Sequence, residues 1–276
     1  MLFELAAAQA VALELNITCI VAWWDHHTEP THPFGERPGP ASDITLKHIF
    51  PNLHFVHYYP LLSHTMDFEH PPLGPQCAFS QYQHDLTTLL KLEEPATSPL
   101  LHGFFETVRR FPLVHKHRDH IVNHVLRFHP AVVEHVKSKY ASHLNGARET
   151  VSVHFRLGGP HEPQNHFDER MQKARGMPSL DWYKHVLTTE FDPAKVTYLV
   201  VSDHLPRAME IMASFDAPLN FIGVEEDFVS ALALMSLCEH HVGTTSTYSF
   251  WGAYLDKQQP SGACMGCMPA SHHHPS

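Results

Sequence analysis

The chain has 276 residues, is 43% apolar and 17% charged, and carries a formal net charge of -10 at pH 7. That length suits one or two domains with buried cores. The negative balance excludes nucleic acid or an anionic membrane surface as the main partner, so any positive field that holds an anion must be local.

Residues 2–15 (LFELAAAQAVALEL) have high helix propensity with neither Gly nor Pro, and predict a helix. The β-branched and aromatic run 17–24 predicts a strand. It is the longest apolar run, and it is too short to span a bilayer. No basic stretch precedes an apolar one at the start, so no signal peptide is read. Pro30, Pro33, Pro38 and Pro40, with Gly35 and Gly39, make residues 25–45 an irregular loop. Residues 46–100 show no clear period. Residues 114–144 read as helix in two pieces broken at Pro130, with Asn145-Gly146 as the stop signal.

From residue 149 strand and helix patterns alternate. Strands are predicted at 150–156, 196–201, 219–224 and 241–244, and helices at 181–190, 206–215, 227–239 and 247–256. Such alternation implies a parallel sheet with helices on both faces. The helix at 227–239 is apolar almost all round, which predicts burial.

The 27 histidines are spread along the chain without ligand spacing, so they read as composition rather than as a metal site. The five cysteines are too scattered for a disulfide framework, and Cys238 lies on an apolar helical stripe as a core residue. Cys264-x-x-Cys267 followed by His272–His274 has donors suited to zinc. The surrounding Pro/Gly/Ser-rich tail reads as disordered.

In a doubly wound sheet the ligand binds beyond the carboxyl ends of the strands. Three sequences fall there: Arg156-Leu157-Gly158-Gly159, Ser202-Asp203, and Thr244 to Ser249. At period two, Val151, Val153 and Phe155 share one face of their strand, and Ser152, His154 and Arg156 the other. Arg156 either binds a phosphate bidentately or pairs with a carboxylate such as Asp203. Asp203 either meets a ribose hydroxyl or base edge, or caps the helix that starts near Pro206. Thr244 to Ser249 leads into a helix whose exposed N–H groups suit an anion, or it is an ordinary N-cap. Gly-x-Ser-x-Gly, the phosphate-cradling Lys loop and the Gly-x-Gly-x-x-Gly turn are absent.

His154-Phe155-Arg156-Leu157-Gly158-Gly159 resembles the His-x-Arg-Arg-x-Asp motif of α-1,2- and α-1,6-fucosyltransferases, with Leu157 at the second Arg and Gly159 at the Asp. Val200-Val201-Ser202-Asp203 is similar to their Phe-Ser-Asp strand end. Asp227-Phe228, with Leu234-Met235-Ser236-Leu237-Cys238-Glu239-His240, resembles their Asp-Leu…Leu-Met-Ser-x-Cys-x-His stretch. Ser246 to Leu255 (STYSFWGAYL) looks like the Ser-Thr-Phe-Ser-Trp-Trp-Gly-Ala-Trp-Leu signature of the α-1,2 family. Met1 to Leu13 is similar to the helix after that family's first Gly-rich loop, and Gly103-Phe104-Phe105-Glu106 with Arg110-Phe111 to its Gly-Tyr-Phe-Gln stretch.

The resemblance implies an α/β fold of GT-B type with two Rossmann-like halves. These would be a truncated acceptor-side domain over 1–145 and a donor-binding domain over 146–257, followed by a disordered tail over 258–276. It implies transfer of fucose from GDP-β-L-fucose to a terminal β-galactoside, with inversion and no essential metal or other cofactor. Arg156 and His154 would be catalytic. Gly158, Gly159, Asp203, Asp227, Ser246, Thr247 and Ser249 would bind the donor. Glu162, Asp168 and Glu169 are candidates for the base. Family members in eukaryotes are Golgi membrane proteins with a lumenal domain, those in bacteria are cytoplasmic, and a membrane would be met only through an anchor outside this sequence. Neighbouring readings are a protein O- or α-1,6-fucosyltransferase and a non-catalytic GDP-sugar or glycan binder.

Overall fold

The computed structural model describes residues 2–16, 21–23, 50–53, 55–57, 78–80, 100–102, 112–158 and 178–256. Contacts divide the chain into two compact units, Met1–Arg127 and Phe128–Ser276. The border expected near 145 falls earlier because of one helix. Pro130–Lys139 packs on the helix Phe228–Met235, and its His135 and Lys139 pair with Glu226. The irregular loop at 25–45, Gly103 to Phe111, Gly159, the three candidate bases and the tail with its Cys and His residues lie outside the described residues.

In the first unit, helix α1 (Leu2–Leu15) matches the expected bounds. Its small side chains Ala6, Ala7 and Ala10 are fully buried, which lets neighbouring elements approach closely. Strand β1 (Val21–Trp23) pairs in parallel with β2 (Phe55–His57), Val21 opposite Phe55. β3 (Ala78–Ser80) pairs in parallel with β4 (Leu100–His102). Short helices α2 (Pro112–Lys116) and α3 (Arg118–His120) run into a π-helical turn, Ile121–Val125. Glu14 of α1 accepts from Lys116 Nζ at 2.5 Å and also bonds His117, which ties α1 to this region.

In the second unit, α4 (Pro130–Lys139) starts at the expected break. Pro130 occupies the first turn, where its missing N–H costs nothing, and the His129 side chain accepts from Ala131 N–H. Tyr140 interrupts the helix before α5 (Ala141–Leu144). Then come β5 (Glu149–Phe155), α6 (Leu180–Thr189), β6 (Val196–Ser202), α7 (Leu205–Ser214), β7 (Phe221–Gly223), α8 (Phe228–Met235), β8 (His240–Val242) and α9 (Thr247–Tyr254). All four strands are parallel, in the order β7-β6-β5-β8.

The period-two reading of β5 holds. Val151, Val153 and Phe155 join the core that α6 and α7 close with Tyr183, Leu187, Ala208 and Met212. Ser152 and His154 face the other way and bond to His241 and Ser249. Every residue of α8 from Val229 to Met235 is buried, as its all-round apolar sequence requires. This helix stops at Met235, four residues earlier than expected, where the Ser236 hydroxyl donates back to Ala233 O and the chain turns. Cys238 is buried just beyond, with its thiol on Leu234 O. Gly252 lets α9 approach α8: a Cβ there would lie 2.5 Å from Met235 Cε.

Among the described residues no helix is long and apolar enough to cross a membrane.

Candidate functional site

The strand order creates the site. The chain runs outward through β5, β6 and β7, then α8 carries it back across the sheet to β8 on the far side of β5. The direction of winding therefore reverses between β5 and β8. Loops diverge at such a switch point and leave a crevice at the carboxyl ends of the two strands. His154 and Arg156 lie on the β5 side of this switch point, and Thr244 to Ser249 on the β8 side.

One hydrogen bond joins the two sides. His154 Nδ1 lies 2.5 Å from Ser249 Oγ, and both residues are buried. The same hydroxyl accepts from Thr244 N–H at 3.2 Å, so it also closes the turn before α9. Gly243 makes this possible. A Cβ at that position would sit 2.8 Å from both Cβ and Oγ of Ser249, closer than real atoms come. The His154 carbonyl is held from below by Tyr183 Oη at 2.8 Å, and its ring lies 5.2 Å from that of Tyr248. Burial pushes the His154 pKa down from 6.5 to about 4, against the pull of Asp203 and with the push of Arg156. The imidazole is neutral at pH 7.

The hydroxyls of the turn divide their roles. Ser246 is the N-cap of α9, its Oγ accepting from Tyr248 N–H at 3.1 Å. Thr244 Oγ1 accepts from Ser246 N–H at 2.9 Å. Tyr248 Oη reaches Phe228 O at 2.6 Å and ties the start of α9 to the start of α8. Thr247 is exposed at the first position of the helix. The cap reading and the anion reading are compatible, because Ser246 alone supplies the cap.

Asp203 organises the loop after β5. Its Oδ2 accepts from Arg156 Nη1 at 2.8 Å and from Gly158 N–H at 3.1 Å, and its Oδ1 from Leu157 N–H at 2.8 Å. Pairing of Arg156 with Asp203, one of the two alternatives for Arg156, is thus present. The Arg156 side chain is nonetheless 37% exposed, so the guanidinium is not sealed in the protein. Capping of α7 falls to His204, whose Nδ1 accepts from Arg207 N–H at 3.4 Å, and not to Asp203. Gly158 has φ 83, a left-handed value that a side chain would strain. Leu157 is buried in the core under β5, where the resembling motif has its second arginine.

Asp227 caps α8. Its Oδ1 accepts from Val229 and Ser230 N–H at 2.8 and 3.0 Å, and its Oδ2 from Ser230 Oγ at 2.8 Å. Burial acts against its charge, but these bonds from Ser230 and Val229 outweigh it and lower the pKa. The loop before it is clamped from α4: Lys139 Nζ lies 2.6 Å from Glu226 Oε1 and donates to Glu225 O at 2.9 Å, while His135 Nε2 lies 3.0 Å from Glu226 Oε2.

Sequence reasoning placed Arg156, Asp203 and the hydroxyl run at one sheet edge, and the resemblance added His154 and Asp227. It missed the Tyr248–Phe228 tether and the Glu226 clamp. It also missed a buried chain in which Ser152 Oγ meets His241 Nδ1 at 2.8 Å and His241 Nε2 lies 3.5 Å from Asp256 Oδ2. Period two along β5 points Ser152 toward this side, but nothing local pairs it with residues 89 and 104 positions away. Among the described residues no cluster of His, Cys, Asp and Glu is arranged to hold a metal ion.

No protein-family model matches the chain, and no curated protein matches it in sequence. Solved structures do match. The fucosyltransferase NodZ from Bradyrhizobium is 13% identical with a TM-score of 0.50, over 91% of this chain and 87% of that one. NodZ alpha-1,6-fucosyltransferase soaked with GDP-fucose is likewise 13% identical with a TM-score of 0.50, over 92% and 87%. POFUT1 in complex with GDP-fucose is 13% identical with a TM-score of 0.45, over 94% and 90%. At this identity the NodZ likeness establishes the fold: α/β of the GT-B type, with a parallel four-stranded sheet flanked by helices in the second unit.

Proposed function

We propose that this chain is a GDP-fucose-dependent glycosyltransferase that moves L-fucose to a hydroxyl of a terminal β-galactoside, forming an α-1,2 linkage with inversion and without a metal. The observation that carries the reading is the His154–Ser249 bond across the switch point, which ties the strand leading into Arg156 to the turn before α9. The shared NodZ fold supports the donor class. The stretch Ser246–Leu255 supports the α-1,2 linkage over the α-1,6 linkage of NodZ.

The chemistry follows from charge. When fucose leaves GDP, negative charge grows on the β-phosphate and positive charge on the sugar ring. Fixed donors aimed at that phosphate stabilise the change without reorganising. Arg156 and the N-terminal end of α9 with Ser246 and Thr247 are those donors. His154 is neutral, so it adds no charge; it holds Ser249 and through it the turn. Asp203 orients Arg156 and the Leu157–Gly158 backbone. Asp227 holds the loop on the nucleoside side. The acceptor proton goes to a carboxylate, for which Glu162, Asp168 and Glu169 are the candidates.

The test is incubation with GDP-fucose and a β-galactoside such as lactose, with and without EDTA, measuring GDP release and assigning the product linkage by NMR. GDP release with an α-1,2 product, unaffected by EDTA and lowered roughly 10²- to 10³-fold in Arg156→Ala, supports the reading. An α-1,6 product or transfer to protein would correct the acceptor. A second reading is favoured by Leu157, buried where the motif carries an arginine: a binder of GDP-sugar without turnover. Tight GDP binding with no GDP released from GDP-fucose would select it.

A further inference from the structure

Among the described residues Phe228 is the one large apolar side chain left exposed, at 52%. Its place is specific. It is the first residue of α8, beside the Asp227 cap, at the carboxyl edge of the sheet. Its main chain is fixed from the site itself: Tyr248 Oη, from the first turn of α9, donates to Phe228 O at 2.6 Å, and the Tyr248 ring lies 5.2 Å from that of His154. The Phe228 main chain is thus tied through Tyr248 to the end of β5, while its ring faces water. An exposed ring on an anchored backbone loses little entropy when a flat partner stacks on it, and stacking favours any π-face.

We infer that Phe228 is the platform on which the purine ring of the nucleoside diphosphate stacks. The inference rests on the donor-site reading above. The diphosphate is held at the start of α9, and the base is the planar group tied to it through one ribose. A flat ring of that kind fits the exposed face of Phe228 better than the non-planar fucose or galactose rings do. Asp227 beside it presents a carboxylate, which accepts from the N–H edge of a base and has no use for a phosphate.

The test uses the full chain and compares wild type with Phe228→Ala and Phe228→Trp, titrating GDP, inorganic pyrophosphate and lactose by calorimetry. Phe228→Ala should weaken GDP binding roughly 5- to 100-fold. It should leave pyrophosphate and lactose within about twofold, while Phe228→Trp keeps GDP affinity within about threefold. Because the ring is exposed, the thermal midpoint should not move, which separates stacking from misfolding. GDP affinity unchanged in Phe228→Ala, with wild type binding GDP, overturns the inference and leaves the donor site standing. An equal loss for pyrophosphate, or a loss for lactose alone, overturns it in favour of a general disturbance or an acceptor contact. Wild-type protein that binds no GDP removes the donor site and this inference together.

Discussion

His154 and Ser249, 95 positions apart, are joined by a 2.5 Å hydrogen bond that spans the reversal point of the sheet. The bond unites His154, on the face of β5 opposite Val151, Val153 and Phe155, with the first turn of α9. It is buried, so neither partner can turn to water if the other is lost.

That burial gives the first prediction. Ser249→Ala removes the partner of the His154 ring and the acceptor of Thr244 N–H, and should destabilise the protein by about 1–3 kcal/mol. His154→Ala removes the same bond from the other side. In a double-mutant cycle read by urea unfolding the two should couple by about 0.5–3 kcal/mol. Strict additivity would mean that the contact contributes nothing.

The second prediction concerns pH. The folded pKa of His154 is pushed down to about 4, while an unfolded His titrates near 6.5. Between these values the unfolded chain binds a proton that the folded protein refuses. Stability attributable to neutral His154 is therefore complete above about pH 6.5, falls as pH drops, and is fully lost below about pH 4, with a span of about 3 kcal/mol. His154→Asn, which has no proton to gain, should show a shallower fall than wild type over that window. Parallel unfolding midpoints for the two proteins from pH 7 to pH 4 would contradict it.

Arg156 and Asp203 should separate function from stability. Their ion pair is more than a third exposed on the arginine side, so solvent screening leaves it worth well under about 1 kcal/mol. Arg156→Ala should leave the unfolding midpoint nearly unchanged while lowering GDP release roughly 10²- to 10³-fold. Asp203→Ala also strips the acceptors from Leu157 and Gly158 N–H, and should cost about 1–3 kcal/mol. A reversed order, with Arg156→Ala the more destabilising, would make the arginine a structural residue.

Two glycines differ in what surrounds them. A methyl at Gly243 meets Ser249 Cβ and Oγ at 2.8 Å, atoms close to a backbone that the His154 bond holds in place. A methyl at Gly252 meets chiefly the flexible end of Met235, with Cε at 2.5 Å and Sδ at 3.1 Å, although Cβ at 3.0 Å is also near. Gly243→Ala should cost about 1–3 kcal/mol and weaken GDP binding as the turn shifts. Gly252→Ala should leave GDP binding closer to wild type. Equal affinities in the two variants would show that the turn does not depend on this close approach.

Much of the second unit was legible in residue order. Strand and helix periods are local, so β5, β6, α6, α7 and α9 fall within one or two residues of expectation. The inward face of β5 followed from alternation alone, and the burial of α8 from a sequence apolar on every side. The hydroxyl run announced a helix start and Pro130 a helix break, because caps and proline act through their own backbone. The partition at Arg127 was not legible, since it depends on α4 packing against a helix nearly a hundred residues later.

What the residue string determined is which side chains gather at the carboxyl ends of the strands, because pleat and period follow from covalent geometry. Tertiary structure alone decided which gap between strands is the crevice, since sheet order is set by how α8 crosses back to β8. It also decided that Asp203 is bound to the β5 loop instead of capping α7, and that Tyr248 ties the start of α9 to the start of α8. Those are contacts between segments distant in sequence, fixed by packing, and no local pattern encodes them.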